Sequence, residues 1–147
     1  MVGSCVCKLS PMADCIFCAI AANEAPSWRI YEDDRCVGFL DIEQATPGHA
    51  LIIPRRHAED LFALSEGETR DVAAAVRRVA VLLRDRLGAP GISVIQSNGA
   101  TAWQDVFHSH VHVVPRYDRD ELTAPWQPKV ASSDDLNRIH RQLIHSA

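Results

Sequence analysis

An unbroken apolar run in the first half of the chain predicts a central strand. Ala50, Leu51, Ile52, Ile53 and Pro54 follow one another without a polar side chain. A short run of this kind is typical of a strand that is buried on both faces.

Two alternating segments, 27–32 and 35–40, precede this run and predict a pair of strands. Successive side chains of a strand point to opposite faces of its sheet, which accounts for the alternation. Asp33 and Asp34 lie between the two segments and are typical of a turn. The two strands are therefore expected to form a hairpin.

One long amphipathic helix is predicted over about 66–87. Its apolar positions recur every three or four residues, as one face of a helix requires: Val72, Val76, Val79, Leu83 and Leu87. Ser65 and Glu68 have the spacing of a capping box at the start of this helix, and Gly88 is placed to end it.

Shorter elements complete the predicted fold. Asp14 is placed to cap a short N-terminal helix, and Ser132 or Ser133 to cap a last helix near the C-terminus. Further strands are expected over 91–97 and 106–114. Strands interrupted by one long helix indicate an α+β fold, with a mostly antiparallel five-stranded sheet, one long helix and short N- and C-terminal helices.

Composition bounds the size of this fold. The 147 residues are 47% hydrophobic, which suffices for one domain with a core of ordinary size. Residues 1–12 show no periodicity and precede an alternative start at Met12. They are expected to be a disordered or non-native extension of a single domain over 13–147.

Charge and hydropathy argue against two classes of partner. The net charge is −4 without a basic tract, which disfavours a nucleic-acid backbone, although a site for one nucleotide needs only local donors. No apolar run approaches the ~20 residues of a membrane span.

The first residues lack the pattern of a signal peptide, so a cytoplasmic location is expected. The five cysteines are then expected to be thiols or metal ligands.

Three histidines at two-residue spacing mark the last predicted strand. In a strand, His108, His110 and His112 would form one row on a single face, with neighbours roughly 6.6 Å apart. A solvated polar face would also give this pattern, whereas a purification tag has contiguous histidines at a terminus. The row indicates metal ligation, phosphate chemistry, or both.

Two cysteines near the start of the chain have metal-binding spacing. Cys15 and Cys18 form a C-x-x-C motif, which places two thiolates on one turn where they can bind a tetrahedral metal. The motif alone is half of a zinc site, and a redox pair or two buried thiols remain as alternatives. A redox role would leave the histidine row unexplained.

With these motifs in place, the chain resembles the histidine triad family. The signature of that family, His-x-His-x-His followed by two apolar residues, is similar to the segment from His108 to Val114. A second family stretch resembles the segment from Asp41 to His57, and Asn98-Gly99, Gln104 and Pro115-Arg116 fall in family order. The resemblance covers roughly residues 14–116. It is closest to small bacterial members of the nucleoside phosphoramidase type, with the diadenosine polyphosphate hydrolase type as near neighbour.

This resemblance implies a nucleotide hydrolase or transferase. The family cleaves nucleoside phosphates at the α-phosphorus through a covalent nucleotidyl-histidine, and His110 matches the nucleophile. A neutral imidazole is a good nucleophile near pH 7, so no catalytic metal is expected. The expected partners are a purine nucleotide such as AMP or GMP, its phosphoramidates, and a second copy of the chain, with the two sheets continuous across a homodimer. A nucleotide-binding, zinc-stabilised module with little turnover and a diadenosine polyphosphate hydrolase are the alternatives.

The resemblance also implies roles for individual side chains. His112, Asn98 and Gln104 match positions beside the phosphate, where donors must meet developing charge, and Gln104 also matches a contact to the leaving group. His49 matches a supporting histidine, and Asp41 matches the acceptor for the ribose hydroxyls. The slot for the base corresponds to five apolar residues, for which plain core packing is the alternative: Ile16, Phe17, Ile20, Phe39 and Ile42.

Some relatives carry a structural zinc, and the resemblance extends to its ligands. Cys15, Cys18, His57 and His108 match that arrangement, with His49 as a possible replacement for His57. Two sulfurs and two nitrogens suit a closed tetrahedral site, which is structural rather than catalytic.

Two residues depart from the family pattern in the loop before the triad. Trp103 stands where glycine is frequent, and Asp105 stands where a hydroxyl residue is frequent. A carboxylate about 4 Å from a phosphate charge would be repelled by roughly 4 kcal/mol at an effective dielectric constant near 20. Asp105 is therefore expected to point away, to favour a cationic leaving group, or to lower activity.

Overall fold

The computed structural model of the protein describes residues 15–144. It confirms the α+β fold, with five strands and three α-helices. The strands are β1 (Arg29–Glu32), β2 (Cys36–Leu40), β3 (Ala50–Pro54), β4 (Gly91–Ile95) and β5 (Val111–Arg116). The helices are α1 (Ile16–Ala21), α2 (Glu66–Leu87) and α3 (Ser133–Ile144). The proposed extension at 1–12 and the predicted cap at Asp14 lie outside the described residues.

All neighbouring strands of the sheet are antiparallel. The strand order is β1-β2-β3-β5-β4, so the predicted hairpin of β1 and β2 is confirmed. The last strand in the chain lies between β3 and β4 and is therefore an inner strand. His112 on β5 pairs with Leu51 of β3 on one side and with Ile95 of β4 on the other.

The sheet is covered by helices on both faces. On one face, α2 packs Val79 and Leu83 against Ile52 and Val113 of the two inner strands. On the other face, α1 packs against a second cluster that includes Leu51. Residues that lie opposite one another in an antiparallel pair share a face, so His112 projects towards the α1 side with Leu51.

The ends of α2 match the predicted signals. The hydroxyl of Ser65 accepts a hydrogen bond from the backbone N–H of Glu68 at 3.2 Å, and the Glu68 carboxylate accepts one from the N–H of Ser65 at 2.9 Å. Gly88 ends the helix with φ +64°, a left-handed conformation that glycine adopts without steric cost. The predicted range of 66–87 is confirmed.

The prediction of a regular strand over 106–114 is wrong at its start. β5 begins at Val111, so only His112 of the three histidines lies in the ladder. The preceding segment bonds elsewhere, because the N–H of Ser109 donates to the carbonyl of Ala58 at 2.6 Å. β4 likewise ends at Ile95 instead of residue 97.

The C-terminal helix stands apart from both clusters. The predicted cap is present, since the hydroxyl of Ser132 accepts the N–H of Asp135 at 3.1 Å. All residues of α3 are exposed. Among the described residues, none of the helices is long and apolar enough to cross a membrane.

Candidate active site

A cavity of about 390 Å³ opens on the α1 side of the sheet. Its apolar floor is formed by Phe17, Ile20, Phe39 and Leu51. The polar groups that border it include Asp41, Glu43, Asp105, His110 and His112. A concave apolar site with a few convergent polar groups is the usual form of a small-molecule site.

The hydrogen bonds of His110 determine its tautomer. Its Nδ1 lies 2.7 Å from the carbonyl oxygen of His108, which can only accept a hydrogen bond, so Nδ1 carries the proton. The lone pair is therefore on Nε2, on the side of the ring that borders the cavity. The residue is only 4% exposed, and the ring packs edge-on against Phe17 with 5.3 Å between centroids. The backbone and the packing thus hold one nucleophilic nitrogen at the cavity.

His112 and His49 form a hydrogen-bonded pair beside it. The Nδ1 of His112 lies 2.9 Å from the Nε2 of His49, and the backbone N–H of Ala45 lies 3.2 Å from the Nδ1 of His49. The carbonyl oxygen of Glu43 also lies 3.3 Å from this Nδ1. In the tautomer in which Ala45 donates to Nδ1, the Nε2–H of His49 donates in turn to His112. The Nε2–H of His112 is then left as a donor towards the cavity.

His112 is held in its neutral form. Burial, and then the neighbouring His110 and His49, lower the pKa of His112 to about 4. Charging a buried imidazole is costly, because the protein interior solvates the cation poorly. Near pH 7 the ring is therefore neutral and can act as a hydrogen-bond donor.

The predicted ribose acceptor and base slot lie around the same cavity. Asp41 borders it, with one carboxylate oxygen 3.6 Å from the Nε2 of His49 and the other accepting the N–H of Glu43 at 2.8 Å. All five apolar residues that were predicted for the base line it as well: Ile16, Phe17, Ile20, Phe39 and Ile42. Phe17, Ile20 and Phe39 are buried, whereas Ile42 is 83% exposed at the rim.

The structure does not bring Asn98 and Gln104 to the cavity lining. Asn98 accepts a hydrogen bond from the N–H of Leu61 at 2.8 Å. Gln104 accepts one from the N–H of Gly99 at 2.7 Å and donates to the carbonyl of Glu59 at 2.6 Å. Both amides therefore stabilise the loop before the triad, and their predicted contacts to a phosphate stay predictions.

The two unusual loop residues face different cavities. Trp103 has φ +69° and lines a separate groove next to β4, together with Val94 and Trp126. Asp105 borders the cavity of the triad, with its carboxylate 3.8 Å from the Nε2 of His110. His49 and His112 also line the groove of Trp103, so His112 borders both spaces. The influence of Trp103 and of Asp105 on a bound phosphate stays a prediction.

Sequence reasoning missed several residues of the cavity wall. Trp28, Leu51 and Val106 line it in addition to the predicted set. Trp28 precedes β1 and belongs to no motif, so its place depends on how the start of β1 lies against α1. Leu51 was recognisable as a core residue but not as part of the cavity floor.

A second cluster, which we call the metal cluster, contains Cys15, Cys18, His57 and His108. One potential ligand atom of each residue lies within 4.8 Å of those of the others. The Nδ1 of His108 lies 3.5 Å from both sulfurs, and the Nδ1 of His57 lies 3.3 Å from the sulfur of Cys18. His49 bonds to His112 and is not part of this cluster.

These distances suit a tetrahedral metal. A thiolate and an imidazole that bind one zinc ion with bonds of about 2.3 and 2.0 Å lie about 3.5 Å apart. The Nε2 of His108 donates to the carbonyl of Pro54 at 2.9 Å, so the lone pair of this ring is on Nδ1, which faces the thiols. Burial lowers the pKa of His108 to about 4, which keeps the ring neutral and able to bind a cation.

The thiol of Cys18 depends on a cation for its charge. Burial, and then the neighbouring Cys15, raise the pKa of Cys18 to about 11. Without a cation, Cys18 is therefore a thiol near pH 7, and metal binding would release its proton. A second group that could hold a metal comprises Asp41, His49 and His112. There the hydrogen bond between the two imidazoles already uses the facing nitrogens.

Comparison with known proteins matches residues 22–119 to the HIT domain. The chain is 39% identical to Protein hit of Bacillus subtilis over 135 residues, which cover 91% of each protein. It is 35% identical over 111 residues to Adenylylsulfatase HINT3 of Arabidopsis thaliana, covering 76% of this chain and 56% of that protein.

Solved structures of similar proteins share the fold. A Zn-bound histidine triad family protein from Mycobacterium smegmatis has a TM-score of 0.73 and 40% identity, over 80% of this chain and 86% of that one. A histidine triad nucleotide-binding protein from Candida albicans has a TM-score of 0.79 and 33% identity, over 88% and 94% of the two chains.

Proposed function

The chain belongs to the histidine triad family, and from that premise we propose that it is a nucleotide hydrolase or transferase. Its proposed substrate is a nucleoside phosphoramidate or a related nucleoside phosphate, cleaved at the α-phosphorus. The observation that carries the proposal is the state of His110, whose Nδ1 is committed to the carbonyl of His108 at 2.7 Å. A buried ring with one fixed lone pair beside a nucleotide-sized cavity is suited to nucleophilic attack.

The proposed reaction proceeds in two displacements at phosphorus. In the first, the Nε2 of His110 forms a bond to the α-phosphorus as the bond to the leaving group breaks. In the second, water attacks the phosphorus and the electron pair of the N–P bond returns to Nε2. The neutral His112 donates a hydrogen bond to a non-bridging oxygen, where negative charge develops.

The nucleoside is proposed to occupy the cavity on the α1 side. Phe17, Ile20 and Phe39 offer apolar surfaces for a purine, as in AMP or GMP, and Asp41 offers a carboxylate to the ribose hydroxyls. A volume of about 390 Å³ lies within the range of small-molecule sites. Asn98 and Gln104 shape the loop beside the phosphate through their hydrogen bonds to Leu61 and Glu59.

We propose that the metal cluster holds a structural zinc ion. Its two sulfurs and two nitrogens complete a tetrahedron, so the ion would supply cross-linking and no open position for chemistry. Cys15 and Cys18 lie at the start of α1, and His108 lies two residues before His110. The cluster would therefore hold the wall of the nucleotide cavity against the segment that carries the nucleophile. A Zn-bound relative at 40% identity supports this proposal.

We also propose a homodimer formed through β4. This strand is at the edge of the sheet, and Val94 and Ile95 are exposed on it. An edge strand with unpaired backbone groups and apolar side chains readily pairs with another strand. Pairing of two β4 strands would make the two sheets continuous. Cys15, Cys18 and Cys36 form no disulfide, which suits a reducing compartment and supports a cytoplasmic location.

Replacement of the nucleophile tests the proposed activity. The hydrolysis of adenosine 5′-phosphoramidate is followed for wild type, His110→Ala and His140→Ala, which removes an exposed histidine on α3 as a control. We expect His110→Ala to lose at least about a thousandfold in kcat and to retain AMP binding. We expect the control to match wild type. Mass spectrometry of quenched wild type should show an adenylylated protein.

Two outcomes would contradict the proposal. Absence of turnover by wild type, with AMP still bound, would favour a nucleotide-binding module. A strong preference of wild type for diadenosine polyphosphates would favour that class of hydrolase.

A further inference from the structure

The carboxylate of Asp105 stands next to the nucleophilic atom. Its Oδ1 lies 3.8 Å from the Nε2 of His110 and accepts a hydrogen bond from the N–H of Val106 at 2.8 Å. The side chain is 84% exposed. Among the described residues, no lysine or arginine forms an ion pair with it. The negative charge of Asp105 therefore acts on any group that binds beside His110.

A second cavity begins where the nucleotide cavity ends. It has a volume of about 510 Å³, and Asp105 and Val106 border both cavities. Ile16 borders both as well, whereas Glu59 and Phe107, with Cys15 and His57 of the metal cluster, line the second cavity only. A nucleoside in the apolar cavity would leave the second cavity for the group on the far side of the α-phosphorus. We call this second space the leaving-group cleft.

The charges that line both cavities have one sign. The acidic residues are Asp41, Glu43, Glu59 and Asp105. Among the described residues that line either cavity, none is a lysine or an arginine. An anionic leaving group such as a phosphate or a sulfate would meet uncompensated repulsion here, whereas a cation would be attracted. The field in the cleft thus discriminates by the charge of the leaving group.

We propose that Asp105 is the specificity-determining residue for the leaving group, and that it favours an amine, most strongly one that also carries an ammonium group. This inference rests on the proposed function, since it concerns the same phosphorus centre. The carboxylate accepts a hydrogen bond from the leaving amine or attracts its cationic substituent. Glu59, which lines the cleft but not the nucleotide cavity, adds a second attraction there.

Asp105 forms and breaks no covalent bond in the proposed reaction. The nitrogen of the P–N bond takes up one proton from water and departs as a neutral amine with the electron pair of that bond. The Nε2 of His110 takes its place on phosphorus. In the second displacement, the attacking water releases one proton to solvent, and the nucleoside monophosphate leaves. The net reaction consumes one water molecule.

Two isosteric substrates test this role. One is the adenosine 5′-phosphoramidate of 1,3-diaminopropane, whose leaving group carries an ammonium, and the other is that of n-butylamine, whose leaving group does not. The measured quantity is the ratio of their kcat/KM values. We expect wild type to prefer the diamine, and Asp105→Asn to lower this preference about fivefold, as for the loss of an exposed ion pair. In wild type, 1 M NaCl should also lower it.

Matched variants separate a local effect from a general one. Asp118→Asn removes an exposed carboxylate that lines neither cavity and should leave the ratio at the wild-type value. Glu59→Gln should lower the ratio by less than Asp105→Asn does. Should Asp105→Asn fail to fold, Asp105→Ser removes the same charge, and the salt dependence of wild type reports on it directly.

The outcomes distinguish this inference from the proposed function. Turnover of both substrates with the same ratio in wild type, Asp105→Asn and Asp105→Ser would overturn the role of Asp105 alone. Turnover of neither substrate by wild type would overturn the proposed function, and the inference with it. A lowered ratio in Asp118→Asn as well would show that overall charge, and not Asp105, sets the preference.

Discussion

The Nε2 of His49 lies 2.9 Å from the Nδ1 of His112, so the last histidine of the triad is oriented by a residue 63 positions earlier in the chain. His49 is itself buried and receives the N–H of Ala45 on its other nitrogen at 3.2 Å. Through this pair, the turn before β3 determines which nitrogen of His112 carries a proton to donate. We therefore expect His49 to be a positioning residue, which acts on the proposed reaction through His112.

Replacement of His49 should affect turnover more than binding. We expect His49→Ala to lower kcat by about tenfold to a hundredfold with little change in KM, because His112 loses the partner that orients it. His49→Gln should recover part of the loss, since its amide N–H can still donate to His112. Steady-state kinetics on adenosine 5′-phosphoramidate provide the measurement. A rise in KM alone would contradict a positioning role.

Burial of His112 should make the fold less stable as the pH falls. The pKa of His112 is about 4 in the folded protein, below its ordinary value of 6.5, so the unfolded chain binds more protons between these pH values. The contribution of His112 to the free energy of unfolding is fully present above pH 6.5. It decreases progressively as the pH falls to about 4. The groups that act on its titration are His110, His49, Asp41 and Asp105.

Urea unfolding of His112→Asn tests this dependence. We expect the free energy of unfolding of the variant to vary less steeply than that of wild type between pH 4 and 6.5. His140→Asn, an exposed replacement on α3, should keep the wild-type slope. Equal slopes in all three proteins would exclude His112 as the source.

Removal of metal from the metal cluster should lower the thermal stability of the protein. It should not remove a group that takes part in catalysis. A zinc site that joins α1 to the segment before β5 contributes several kcal/mol to folding, so a strong chelator should lower the Tm of wild type by at least about 10 °C. At temperatures below the new Tm, kcat should change little. Elemental analysis of the purified protein that finds no zinc would contradict the assignment.

Two cysteine variants control this experiment. Cys18→Ser should already have the low Tm and should not respond to the chelator, because a ligand is missing. Cys36→Ala removes a buried thiol outside the metal cluster and should keep the chelator response of wild type.

A methyl group at Gly48 should destabilise the turn that carries His49. Gly48 has φ +95°, and a Cβ atom there would lie 2.3 Å from the Cδ1 of Leu87 on α2. We expect Gly48→Ala to lower the free energy of unfolding by about 1–3 kcal/mol, measured by urea denaturation. Gly67→Ala on α2 is the control, since its Cβ would meet only the hydroxyl of Ser65 at 3.9 Å. That variant should be neutral or more stable by about 0.5 kcal/mol.

Local signals predicted the elements well where the reason for the structure is local. The apolar run of β3 and the capping box of α2 gave the observed bounds of those elements. The start of β5 was predicted too early, because the N–H of Ser109 bonds to Ala58 in a distant loop. A hydrogen bond to a distant loop does not change the hydrophobic periodicity of a segment, so the sequence pattern does not reveal it.

The sequence by itself determined the fold class and the family, and it predicted two sets of chemically active residues. Spacing within short segments is enough for these, since helix caps, strand alternation and the histidine signature are local. Only the tertiary structure decided which residues meet. It placed His57 in the metal cluster and His49 beside His112, turned Gln104 into the loop, and set Asp105 3.8 Å from the Nε2 of His110. These relationships depend on how β3, β5 and the loops between them pack, and no local pattern encodes a distance across the sheet.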